Sequence, residues 1–489
     1  MKKLLIGITI TLAAALSLIS GIQDKPPYDP EKTFSIEALK GDLKILWDVL
    51  EEGHGGFDRY TPKEALRNEF AEVDKGLKTP MTEFDFLTRI LPLIADVKDG
   101  HTGAGLSPAA AAFLDDQPAA FPFGLRFFGD QAFVFRDLSE GRILGEGAEL
   151  LSVNGIATGE IVSGLAELIS NDAGIRTRKL RQLEFPANFG RLFALRFGRP
   201  ESFRIRFRPR GGGETKEVSV KGIKGKDVTK ILFDRYPDAA RRFPLYELSF
   251  RGDIAVLTIR GFANNPEKGS PAFTEFLGSA FRTLEEKKTP GLVIDLRVNG
   301  GGQDDLAKLL FAHVMDRPFL YYKALESKKD HYDLFRFTSI SKADIEKLPS
   351  QVRKNARGWY DVLGHPNSGI QEPAAPRFTG KVAILIGGLS FSATGETTSL
   401  FHHHKKAVFF GEECGAGYYG NTSGLIVQAT LPATGIQVRV PLVLYTMAVD
   451  GYPADRGIVP EFPAVPTIED LLSGRDPVME KALDWMKLP

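Results

Sequence analysis

The chain has 489 residues, of which 43% are apolar and 25% charged. That is ordinary globular composition and excludes a disordered, collagen-like or multi-span membrane protein. Lys plus Arg and Asp plus Glu both number 62, so the chain lacks the positive field that would make nucleic acid its main partner. The single cysteine, Cys414, excludes an intrachain disulfide, a Cys-rich zinc site and CxxC redox chemistry.

Lys2 and Lys3 precede an apolar run from Leu4 to Ile19, followed by Ser20-Gly21 and a polar, Pro-rich stretch. A positive flank, a short apolar run and small residues form a secretory signal pattern, expected over 1–21. At about sixteen residues the run is short for a spanning helix, which needs about twenty. The expectation is an exported chain, periplasmic or secreted, with no membrane span in its mature part; an uncleaved anchor is the alternative.

From Thr33 to Lys98 the pattern is helical. Ile36, Leu39, Leu43, Leu46 and Leu50 fall near a period of 3.6. Further helices are expected over Pro62–Leu77 and Thr82–Ala95, and together these define a helical domain over 30–106. The last helix runs into Asp99-Gly100-His101-Thr102-Gly103, a glycine-bracketed loop. Ser107–Phe121, small-residue and Pro-biased, reads as a connector. Over 118–222 short strands predominate, with Phe203, Ile205 and Phe207 alternating beside a Gly211–Gly213 turn. Over 243–475 buried strands such as Gly291–Arg297 and Lys381–Gly387 alternate with helices, the signature of a parallel α/β layer.

Two turns in that last region carry chemistry. In Leu385–Glu396 a buried strand meets Gly387-Gly388 and opens a helix at Ser392. A hydroxyl there sits at the positive end of a helix, and the N–H of Ala393 is placed to stabilise an oxyanion. The plain alternative is that Ser392 or Ser390 is an N-cap. In Asp295–Asp305 a second strand enters Gly300-Gly301-Gly302, where backbone N–H groups can approach a ligand unhindered. No P-loop lysine is present and Asp304-Asp305 follow, so carbonyl or oxyanion binding fits better than phosphate.

A serine nucleophile needs a base, and there are eight histidines. Consecutive His402, His403 and His404 point about 100° apart on a helix and cannot converge. His313 sits in an amphipathic helix, and His331 and His365 lie in a polar insertion. His54 and His101 lie in turns, and small neighbours let His101 project.

Taken together, DGHT (Asp99–Thr102), GAELLSVNGI (Gly147–Ile156), DLRVNGGG (Asp295–Gly302), SFSATGE (Ser390–Glu396), FGEECGAGY (Phe410–Tyr418) and RGIVPEF (Arg456–Phe462) resemble the carboxy-terminal processing, or tail-specific, serine protease family. The resemblance implies a Clp-protease/crotonase-like α/β catalytic core, an N-terminal helical domain and a PDZ-like β-rich domain over 118–222. It places the nucleophile on Ser392 and oxyanion glycines on Gly300 and Gly301. In the better-known branch a lysine is the base, but here Gly417 occupies its place. The sequence is nearer the tricorn and interphotoreceptor-retinoid-binding-protein branch, whose histidine base falls on His101. That branch also uses an acidic residue near the C-terminal motif. Its exact position holds Ala454, so Asp455 is the expected orienter.

The implied function is serine-type peptide-bond hydrolysis of a polypeptide substrate through a Ser392 acyl-enzyme, without metal or other cofactor. Peptide capture is expected by strand addition to the PDZ-like region, with Phe123, Gly124 and Leu125 as a carboxylate-binding loop. A catalytically inactive peptide- or hydrophobic-ligand-binding protein on the same fold, and an acyl-CoA enzyme of the crotonase type, are the rival readings.

Overall fold

The structure, a computed structural model, describes residues 27–240, 243–264 and 271–488. The apolar leader read over 1–21 lies outside the described residues. No helix among those described is long and apolar enough to cross a membrane.

Three helices open the described chain: Ile36–Gly53, Lys63–Gly76 and Glu83–Ala95. Ser35 caps the first by accepting from the Ala38 N–H, and Thr82 with Asp85 forms a capping box on the third. Their buried stripe of Leu39, Leu43, Leu46 and Leu50 does not close a core of its own. It packs on Val438, Val440 and Leu442 of a long antiparallel hairpin, strands Gly420–Thr430 and Gln437–Met447, more than three hundred residues away. Each of those 11-residue strands presents an apolar face that must be covered. The N-terminal helices supply the cover, so the expected helical domain shares its core with the C-terminal hairpin. The stretch after Ser107 is not a connector. Pro108–Asp116 is a helix with Pro in its first turn and Ser107 accepting from the Ala110 N–H, and its run of alanines favours that state.

Residues of the 118–222 region form a second body with its own core. Strands Phe123–Phe128, Gln131–Asp137, Glu149–Val153, Ser202–Arg208 and Lys216–Lys221 pair antiparallel in that order. Helices Thr158–Ala166, Arg176–Leu183 and Pro186–Phe197 accompany them. Phe121, Phe123, Phe127, Phe189, Phe193 and Phe203 fill the space between.

The remaining layer is the parallel sheet expected from its apolar strands. Its order is Tyr246–Arg251, Ile254–Ile259, Gly291–Asp295, Lys381–Ile386, Val408–Gly411 and Phe462–Pro463, parallel except for the first pair. Helices Phe273–Glu286, Asp304–Ala312, Ala393–His403 and Pro477–Met486 accompany it. The Leu320–Pro376 insertion contributes Tyr322–Ser327, which pairs with the far half of Gln437–Met447. The near half of that strand pairs with Gly103–Gly105, and this short ladder carries His101 from the N-terminal region to the α/β layer.

Candidate active site

The turn that carries Ser392 is held by other side chains. Ser390 Oγ accepts from the Gly387 N–H at 3.1 Å and donates to the Leu296 carbonyl at 2.8 Å, locking strand to turn. Ser392 occupies the N-cap position of Ala393–His403, with φ 55° and ψ −128°, yet its hydroxyl makes no capping hydrogen bond. A non-glycine residue held at positive φ carries strain of about 1–3 kcal/mol, tolerated where the surroundings over-determine it. The half-buried Ser392 Oγ instead lies 3.1 Å from His101 Nε2. These two residues are 291 positions apart in sequence, and the distance is within reach for proton transfer.

Beside them is the glycine turn. Asn299 is fully buried; its Oδ1 accepts from the Gly301 N–H at 2.9 Å, and its carbonyl accepts from the Phe391 N–H at 3.1 Å. Gly301 has φ 102°, and a Cβ there would sit 2.6 Å from the Ser392 Cβ. Glycine is therefore obligatory at 301, but its N–H is already spent on Asn299. The N–H groups of Gly300 and Ala393 have no partner among the described residues. Those two are the donors available to an oxyanion.

His101 is held by its own loop. Asp99 Oδ1 accepts from the backbone N–H groups of His101 and Thr102, at 2.9 and 3.0 Å, and from the Thr102 hydroxyl at 3.0 Å. The Thr422 hydroxyl donates to the other oxygen. His54 Nδ1 accepts from the Gly56 N–H, so its proton is on Nε2, which donates to Thr102 Oγ1 at 2.6 Å. The result is a buried relay from His54 through Thr102 to Asp99. Burial opposes the Asp99 charge, but contact with His54, the charge of His101 and the Thr422 bond override it and hold the carboxyl well below the usual range.

Burial, partly offset by Asp99 and reinforced by Arg178 and Arg439, pushes His101 down to about 4. The imidazole is thus neutral at physiological pH, as a base must be. Its ring lies 4.7 Å from that of Phe391, against which the Arg178 guanidinium stacks at 3.4 Å. The buried His101 Nδ1 has no hydrogen-bond partner among the described residues.

The expected orienter is not there. Asp455 is exposed, and no contact joins it to His101. The reason is local: Cys414 N–H bonds to the Ile458 carbonyl, and Gly457 presses so close that a Cβ would be 2.1 Å from the Cys414 carbonyl. The loop is pinned there and turns Asp455 outward. The acid that does approach is Asp172, from the turn before helix Arg176–Leu183. One ligand atom each of Asp99, His101 and Asp172 lie within 4.8 Å of one another.

Asp172 is fully buried and accepts from the N–H groups of Gly100 at 2.7 Å and Gly417 at 3.2 Å. Burial first, and the Asp99 charge second, raise its carboxyl to about 6. Such a trio can in principle ligate a metal, but here the carboxylate oxygens already accept from backbone and hydroxyl donors. This donor set reads as a hydrogen-bonded network. A lysine at 417 would have to displace Tyr60, whose hydroxyl lies 2.3 Å from where its Cβ would sit.

Phe123, Gly124 and Leu125 do not form a loop either. They open the strand Phe123–Phe128, with Phe123 and Leu125 buried in the phenylalanine core; their apolar alternation (Phe, Leu, Phe) is that of a strand with one face inward. Asp172, Asn299, Thr422 and Arg178 escaped sequence reasoning. Asp172 sits in Ser-Asn-Asp-Ala-Gly, an ordinary turn composition, and only tertiary contact brings it to the base.

An α/β layer with a strained serine on a strand-to-helix turn, a histidine at hydrogen-bond distance and free N–H groups beside it is the arrangement of a serine-type peptidase. Residues 253–462 match the family model described as Peptidase family S41. Among solved structures, mature CPAF aligns with TM-score 0.61 and 16% identity, covering 92% of this chain and 96% of that one. Mature CPAF complexed with lactacystin aligns with TM-score 0.61 and 15% identity, over 92% and 97%. At such identity the likeness is one of fold. No curated protein sequence matches the chain.

Proposed function

We propose that the chain hydrolyses peptide bonds through an acyl-enzyme on Ser392, with His101 as general base. The observation that carries this is the 3.1 Å contact between Ser392 Oγ and His101 Nε2. His101 takes the hydroxyl proton as Ser392 Oγ attacks the carbonyl carbon. The N–H groups of Gly300 and Ala393 bind the oxyanion, each worth about 3 kcal/mol in the transition state. His101 then returns the proton to the leaving amine. In the second half it accepts a proton from the water that attacks the acyl carbonyl and passes it to Ser392 Oγ as the acyl–oxygen bond breaks, which releases the acyl group.

The imidazolium formed in each step is stabilised by Asp99 and Asp172. Asp172 takes the place intended for Asp455: it fixes the loop through the Gly100 N–H and puts a carboxylate beside the ring. The leader supports an exported protein. The 118–222 sheet supports a peptide-capturing, PDZ-like role, with Phe123–Phe128 as its edge strand. Capture there has to displace Glu184 and Arg181, which hold the Phe127 N–H and carbonyl.

Hydrolysis of an unfolded polypeptide by wild type, Ser392→Ala and His101→Ala, with fluorophosphonate labelling in parallel, tests the assignment. Each variant is expected to lose at least about a thousandfold in kcat, and Ser392→Ala all labelling. Full activity in either variant rejects these roles. A wild type that neither cleaves nor labels is instead a binding protein.

A further inference from the structure

The strand that follows the base is bare on one side. Gly103, Ala104 and Gly105 pair with Arg439, Val438 and Gln437, and their other edge pairs with no strand among the described residues. Residues i and i+2 of a strand share a face. Ala104 packs toward the core beneath the N-terminal helices, which leaves Gly103 and Gly105 on the opposite face. A Cβ built on either meets nothing within 4 Å, and neither has a positive φ.

The two usual reasons for a strand glycine, close packing by the fold itself and a left-handed backbone, are therefore both absent. Glycine inside a strand weakens it and marks a place where another backbone comes close. Among the described residues nothing does so.

A cavity of about 540 Å³ runs along this strand, within the range of roughly 300–1,000 Å³ usual for ligand sites. Gly100 and Thr102–Leu106 form its floor, so it runs along the loop that carries His101. Leu87 and Leu91 from the third helix and Leu192 and Leu195 from Pro186–Phe197 give it an apolar wall, with Gln437 and Arg439 at the other side.

We propose that Gly103–Gly105 is the seat of the substrate backbone on one side of the scissile bond. An extended polypeptide lies against the glycine face and sets a large apolar side chain on the leucine wall. This rests on the peptidase reading and adds the substrate class: unfolded chain with an apolar residue at a fixed distance from the cleaved bond.

Because the fold leaves room for a side chain at both positions, Gly105→Ala, Gly105→Leu and Gly103→Val test the seat without crowding the core. Cleavage sites in an unfolded polypeptide are mapped by mass spectrometry, and KM and kcat are measured beside the rate at which a small fluorophosphonate labels Ser392. The wild type is expected to show an apolar residue enriched at one offset. Gly105→Leu is expected to raise KM at least tenfold more than it slows labelling, with Gly105→Ala between, and to shift the preferred residue to a smaller one.

Unchanged KM and cleavage pattern overturn the proposal. So does a parallel loss of labelling, which would make the glycines supports of His101. Failure of the peptidase reading shows separately, as a wild type that neither labels nor cleaves.

Discussion

Replacing Asp172 by Asn separates two groups that both titrate near the base. In the resting enzyme His101 is lowered to about 4 and Asp172 raised to about 6. Between those values the imidazole is already neutral, while Asp172 is protonated and of little help to an imidazolium. The acid limb of kcat in the wild type therefore reports Asp172, near pH 6, and not the base.

The size follows from geometry. At the limiting 4.8 Å separation, two unit charges in an effective dielectric of about 20 interact by roughly 3 kcal/mol. At about 1.4 kcal/mol per decade that is roughly a hundredfold in kcat. Steady-state kinetics of wild type and Asp172→Asn from pH 4 to 9 should show that loss above pH 7. Below pH 5 the two curves should converge, and the variant's own limb should lie near 4. A variant that keeps the limb at 6, or that loses less than threefold at pH 8, refutes the role given to Asp172.

The glycine turn makes an asymmetric prediction. Gly301→Ala, whose Cβ would meet Ser392 and whose φ is 102°, should lower Tm and abolish activity. Gly300→Ala, with open space around it, should leave Tm within about a degree; calorimetry of both checks this. Gly417→Lys should fail to bring in Ser/Lys chemistry and should destabilise the fold, because the side chain would start 2.3 Å from the Tyr60 hydroxyl; loss of Tm without activity in His101→Ala/Gly417→Lys is the expected result.

Stability against pH gives another check. His101 is depressed from 6.5 to about 4, so the unfolded chain binds that proton first, and stability is lost as pH falls from about 6.5 to 4. The Asp172 shift acts in the opposite sense over nearly the same window, since the native state holds that proton more tightly. Denaturant titrations at pH 7 and 4.5 should therefore show His101→Gln gaining stability at the lower pH relative to wild type, while Asp172→Asn loses it.

The pairing of Ser392 with His101, on which the proposed function rests, was legible because each stands in a short glycine-bracketed segment at the end of an apolar element. Such local pattern survives in a single sequence. The orienting acid was not, because nothing in Ser170–Gly174 distinguishes Asp172 from any turn aspartate until the chain folds back on Gly100 and Gly417. Asp455 looked right by proximity to the C-terminal motif, and the pinning of Gly457 turns it away. The N-terminal helices show the same division. Their apolar stripes were plain, but a stripe does not name its partner, and the partner proved to be the hairpin near the other end of the chain. At 118–222 the alternation of Phe203, Ile205 and Phe207 fixed one hairpin, whereas the aromatic core that unites the region depends on helices with weaker periodicity.

The strand pairing of Gly103–Gly105 with Gln437–Arg439 also governs when the enzyme can exist. The ribosome delivers His101 first and Ser392 291 residues later, and the strand that seats the His101 loop later still. A chain that ends between Ser392 and the Gly420–Met447 hairpin has both side chains but lacks the strand on which the His101 loop is seated. On the proposed assignment, activity therefore waits for a strand near the far end of the chain.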